Sequence, residues 1–103
     1  MVWGMIKMKI NELSYEAHET ALEKGWWDEE RSTTECLALV TCEISEAIEE
    51  LRKGNYDKFK EEIADVYIRL GDLCGHLGID IEKEIIKKME YNKTRPYKHN
   101  KRF

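Results

Sequence analysis

Two carboxylate pairs, Glu43-x-x-Glu46 and Glu62-x-x-Asp65, flank a short turn reading RKGNYD. Taken singly, such pairs mean little. Composition alone gives about three E-x-x-[DE] pairs, and the chain has four, the others being Glu16/Glu19 and Glu46/Glu49. An acidic pair on a helix is usually a solvated face. Position raises the signal here. Each acid directly precedes an apolar residue of a helical stripe: Ile44, Ala47, Ile63 and Val66. At about 100° per residue, each pair borders the buried stripe. The pairs are also level, because Glu46 and Glu62 stand eight residues either side of Gly54, and Glu43 and Asp65 eleven. With a rise of about 1.5 Å per residue, equidistant positions on antiparallel helices lie side by side. Four carboxylates then converge beside the core. Desolvated like charges repel, and a hard divalent cation ligated by oxygen is the simplest counter-charge. Mg²⁺ keeps waters and shares its shell with substrate phosphates, with Mn²⁺ as a substitute. A di-iron centre would need Glu-x-x-His on facing helices. None of His18, His76 or His99 has a Glu three residues before it.

A second set carries the opposite charge. Lys88, Asn92 and Arg95 are spaced i, i+4, i+7 and border Ile85 and Met89. Such a face suits phosphate. The same cations also suit an ordinary helix C-terminus, and spacing leaves both readings open. Trp26 and Trp27 follow Gly25 in a polar loop. They are candidates to stack on a nucleobase, or to pack over the bundle or a subunit contact. His18 reads as structural or exposed, on a helix able to bring it near a base pocket. Glu50 and Lys58, four residues either side of Gly54, read as a rim ion pair.

Four helices must position these residues. The first is expected over Asn11–Lys24, with Asn11 as cap and Gly25 as stop. The second is expected over Thr33–Arg52, opened by the capping-box pattern Ser32-Thr33-Thr34-Glu35 and ended by Gly54. The third starts after Asp57 and ends near Gly78. The fourth starts after Asp80 and stops near Arg95, because Pro96 restricts the residue before it. Leu37, Val40, Ile44, Ala47 and Leu51 follow 3-4-3-4 spacing, as do Phe59, Ile63, Val66, Leu70 and Leu73. Joined by a short turn, the two helices form an antiparallel hairpin. Gly71 and Gly75 mark a close helix approach within the third. No segment alternates with period two. The expected fold is an all-α, antiparallel four-helix bundle: one domain over residues 1–103, with a basic tail from about residue 96.

Composition agrees with a water-soluble helical chain: 42% hydrophobic, 37% charged, one proline. No apolar run approaches the roughly 20 residues that cross a bilayer, so no membrane partner is expected. The opening MVWGMIKMKI is broken by Lys7 and Lys9 and lacks the features of a signal peptide. Cys36, Cys42 and Cys74 read as reduced thiols, which suits a cytoplasmic protein. The net charge of −4 hides an asymmetry. Residues 87–103 carry seven Lys/Arg and one acid, while residues 1–86 carry ten and twenty. The amphipathic helices make a thin core for this length and leave Trp3, Met5 and Ile6 without a place, so an oligomer is expected.

Together these motifs resemble the MazG-like, all-α nucleotide pyrophosphohydrolases. The resemblance rests on E-x-x-E, fifteen residues, E-x-x-D; on the downstream K-x-x-x-N-x-x-R; and on EKGWWDEERS followed by LALVTCEISEAIEELRKGN. It covers about residues 10–103. It implies a helical bundle that forms dimers or tetramers. It also implies Mg²⁺-dependent cleavage of a nucleoside triphosphate between the α and β phosphates, giving the monophosphate and pyrophosphate. By position it assigns metal ligation to Glu43, Glu46, Glu62 and Asp65, and phosphate contact to Lys88, Asn92 and Arg95. Either Glu43 or Glu46 would orient or deprotonate the attacking water. The tail departs from the pattern, since Asn100 stands where a glycine is expected. Two alternatives remain at this level. One is hydrolysis of another pyrophosphate-bearing nucleotide, such as phosphoribosyl-ATP. The other is a non-catalytic module whose basic tail binds nucleic acid. Level carboxylates have no use in the latter, so nucleic acid is not the expected partner.

Overall fold

A computed structural model describes residues 8–100. Trp3, Met5, Ile6 and the last three residues of the basic tail lie outside the described residues. Four α-helices run in order: α1 (Ile10–Glu23), α2 (Thr33–Arg52), α3 (Tyr56–Leu77) and α4 (Ile81–Lys93), with a 3₁₀ turn over Tyr97–Asn100. No strand occurs among the described residues, and the fold is all-α as expected. None of these helices is long and apolar enough to cross a membrane.

The helix ends follow local chemistry. Ser32 Oγ accepts from the Glu35 N–H at 3.1 Å, satisfying one of the free donors at the α2 N-terminus. Asn55 and Asp80 cap α3 and α4 in the same way, accepting from the Lys58 and Lys83 N–H groups. Gly54 and Gly78 take the left-handed conformation, φ 75° and 68°, where a side chain is strained. Asn11 corrects the expectation. It lies inside α1, and Lys9 occupies the cap position. The Asn11 amide instead bridges two helices, donating to Asp80 Oδ1 at 2.9 Å and accepting from the Glu82 N–H at 3.1 Å.

α3 is central and packs against α1 on one side and α2 on the other, while α4 meets chiefly α1. The α1–α3 approach is close. A Cβ on Gly75 would fall 2.8 Å from His18 Cβ and 3.0 Å from the Ser14 carbonyl oxygen, so only glycine fits there.

The buried apolar side chains among the described residues are Ala21, Val40, Ala47 and Leu73. The α2 stripe is therefore only half covered: Leu37, Ile44 and Leu51 remain exposed. α4 buries none of its residues. The radius of gyration, 16.2 Å, exceeds the roughly 13 Å of a compact domain of this length.

Candidate functional site

The α2–α3 hairpin brings three of the four expected carboxylates together. Glu43, Glu62 and Asp65 each offer an oxygen within 4.8 Å of the other two. Glu46 lies outside this trio but close enough to act on Glu62. Burial, then Glu43 and Glu46, push the Glu62 carboxyl above the ordinary glutamate range. Glu62 Oε2 is buried and has no hydrogen-bond partner. An orphaned acceptor in a nest of acids is costly unless a cation meets it. Three converging carboxylates match the oxygen donors that a hard divalent ion takes.

The structure also supplies a counter-charge that reading from the sequence missed. Arg69 Nε donates to Glu43 Oε1 at 2.8 Å, with Glu43 only 13% exposed. Among the described residues, no ion pair joins Glu46, Glu62 or Asp65. The expected Glu50–Lys58 pair is not made. Glu50 meets Lys53 at 3.7 Å and Lys58 meets Glu61 at 3.3 Å, because i,i+3 neighbours on one helix are nearer than partners across the turn.

Beside Glu43 and Asp65 opens a cavity of about 500 Å³ that Trp26 and Trp27 line. The Trp26 ring has the guanidinium groups of Arg31 and Arg69 at 5.9 and 5.4 Å from its centroid, within cation–π range. Trp27 stacks on His76, with ring centroids 3.8 Å apart and planes 8° from parallel. Its indole Nε1–H donates to Asp72 Oδ1 at 2.9 Å, the same oxygen that meets His18 Nδ1 at 2.9 Å. His18 is thus part of the cavity's supporting network. Reading the sequence also missed Arg31 and Asp72. A signal existed on α3: Asp65, Arg69, Asp72 and His76 recur at i, i+4, i+7, i+11, one helical face.

Lys88, Asn92 and Arg95 are not brought to this site. No residue of α4 lines the cavity. Lys88 and Arg95 lie over the Tyr91 ring instead, at 4.9 and 5.6 Å. Asn92 Oδ1 is buried without a hydrogen-bond partner.

Comparison with curated proteins and with solved structures gave no significant match. The family described as MazG-like matches residues 33–103, a span that begins at the first residue of α2. It holds all four carboxylates and the Lys88–Arg95 strip, while α1 and the tryptophan loop lie before it. A match over most of the chain establishes that this chain belongs to the MazG-like family.

Proposed function

We propose that the protein is a Mg²⁺-dependent nucleoside triphosphate pyrophosphohydrolase. The observation that carries this reading is Glu62. Its Oε2 is buried and unpartnered, its carboxylate is gathered with Glu43 and Asp65, and the cluster adjoins a cavity walled by two tryptophans. Glu43, Glu62 and Asp65 would hold the cation, with Glu46 beside them and Mn²⁺ as a substitute. When bound, the ion supplies charge neutralisation to the reacting phosphoryl group. Glu43 is clamped by Arg69 and is poorly suited to move a proton. Glu46 is exposed and takes the proton of the attacking water. The water oxygen bonds to the α-phosphorus, the bond from that phosphorus to the α–β bridging oxygen breaks, and pyrophosphate departs with the electron pair. Trp26 and Trp27 hold the base by stacking. One face of Trp27 is taken by His76, so the base uses the other.

We further propose a homo-oligomer, dimer or tetramer. Exposed Leu37, Ile44, Ile48 and Leu51 on α2, and Ile86 and Met89 on α4, are more apolar surface than a small monomer usually leaves to water. Lys88, Asn92 and Arg95 of one copy then serve the carboxylates of another. Three free cysteines suit the reducing cytoplasm.

A panel of nucleoside triphosphates with Mg²⁺, read as pyrophosphate release, tests the activity. Release by the wild type and its loss in Glu62→Gln are expected. No release from any triphosphate would overturn the reading.

A further inference from the structure

Asp72 stands seven residues beyond Asp65 on α3, two turns and about 10 Å along the same face, roughly the length of a nucleoside. It lines the cavity and its side chain is 19% exposed. Oδ1 takes both bonds from its neighbours, His18 Nδ1 and Trp27 Nε1. The hydrogen bonds among the described residues leave Oδ2 without a partner. A carboxylate oxygen is an acceptor only, so a ligand that meets Oδ2 must bring an N–H or O–H. The competing donors nearby are partly engaged, Arg69 with Glu43 at 2.8 Å and Arg31 with Glu35 at 3.4 Å.

We propose that Asp72 is the specificity-determining residue of the cavity, its Oδ2 accepting from the exocyclic amino group of a nucleobase, so that amino-bearing bases are chosen over their keto counterparts. This rests on the nucleotide site proposed above and goes further, to the base. Cytosine and adenine present an amino group where uracil and hypoxanthine present a carbonyl oxygen. A carbonyl against the carboxylate leaves two acceptors facing each other without a proton, and a site built around one hydrogen bond rejects the ligand that lacks it. His18 and Trp27 are positioning residues here. By holding Oδ1 they fix the direction of Oδ2.

Asp72→Asn separates this role from simple support. The amide oxygen still accepts from His18 and Trp27, so the amide nitrogen takes the place of Oδ2. The acceptor becomes a donor at constant shape. Equilibrium binding of dCMP, dUMP, dAMP and dIMP, read by tryptophan fluorescence, measures base choice without turnover; kcat/KM for the four triphosphates measures it with turnover. The wild type is expected to favour dCMP over dUMP and dAMP over dIMP by about tenfold or more, and Asp72→Asn to reverse or erase both ratios. Equal wild-type affinities for each pair, or a variant that weakens all four ligands alike, would overturn the proposal. If the binding ratios hold but no triphosphate is hydrolysed, the base-reading role stands and the hydrolase reading falls.

Discussion

The guanidinium of Arg69 and the carboxylate of Glu43 meet across the α2–α3 contact, Nε to Oε1 at 2.8 Å. Arg69 is one turn beyond Asp65, so the same helix supplies both a candidate ligand for a cation and a competitor for it. In the metal-free protein Arg69 offsets one of the gathered charges and fixes one oxygen of Glu43.

Arg69→Gln should therefore tighten Mg²⁺ and Mn²⁺ binding in the absence of nucleotide. Removing a positive charge a few ångströms from the site strengthens the local negative potential: even fully screened by the dielectric of water, a +1 charge and a +2 ion about 6 Å apart interact by ~1.4 kcal/mol, about tenfold in affinity. Turnover should fall in the same variant, because Glu43 loses its orientation. Titration calorimetry and pyrophosphate release on one preparation separate the two. Weaker metal binding in Arg69→Gln would show that the guanidinium organises the site more than it competes.

Glu62→Gln should abolish divalent binding and, in the presence of a chelator, stabilise the metal-free protein at neutral pH. The sign follows from linkage. A carboxyl whose pKa is raised in the fold, here by burial and by Glu43 and Glu46, holds its proton more tightly folded than unfolded. Stability then falls as pH rises from the ordinary glutamate value through the raised one, and is level above it. The amide has no such fall. Denaturant midpoints of variant and wild type should coincide at the acid end and diverge as pH rises from about 4 to 8; parallel curves would contradict a raised Glu62 pKa.

Subunit mixing tests where the basic strip acts. Lys88→Ala alone should leave metal binding without nucleotide nearly unchanged and lower kcat/KM about ten- to a hundred-fold, as expected for a charge-assisted hydrogen bond to phosphate. If the strip serves a neighbouring copy, co-refolded Glu62→Gln and Lys88→Ala should regain activity, about a quarter of wild type for random dimers with an isologous contact. No recovery in a mixture shown to exchange subunits would return the strip to its own chain. A monomeric mass by light scattering would remove the oligomer itself.

Gly71 and Gly75 should respond differently to alanine. A Cβ on Gly71 meets Leu13 Cγ and Ser14 Cα at 3.5 Å, ordinary contact. Helix propensity then makes Gly71→Ala neutral or stabilising by up to about 1 kcal/mol. Gly75→Ala meets His18 Cβ at 2.8 Å and should cost about 1–3 kcal/mol through overpacking. It should also push His18 away from Asp72, changing tryptophan fluorescence. Equal thermal midpoints for the two variants would contradict the close approach.

Much of this protein was legible in one dimension. The helix ends at Ser32, Gly54 and Gly78 depend on neighbours within a turn, and local sequence fixes them. The gathering of Glu43, Glu62 and Asp65 agrees with counting along a constant rise on either side of one short turn, while Glu46, counted with them, falls outside the trio. The contacts that give those residues a setting are long-range: Arg69 with Glu43 across 26 residues, His18 with Asp72 across 54, Asn11 with Asp80 across 69. None is marked by spacing, because each depends on how a helix is rotated about its own axis and on which helix it meets. Only packing decides that. The close α1–α3 contact at Gly75 brings His18 to Asp72, and Asn11, which reads as a cap, ties the start of α4 to α1. The basic strip is visible as a motif, but the seat of α4 determines which carboxylates it can reach.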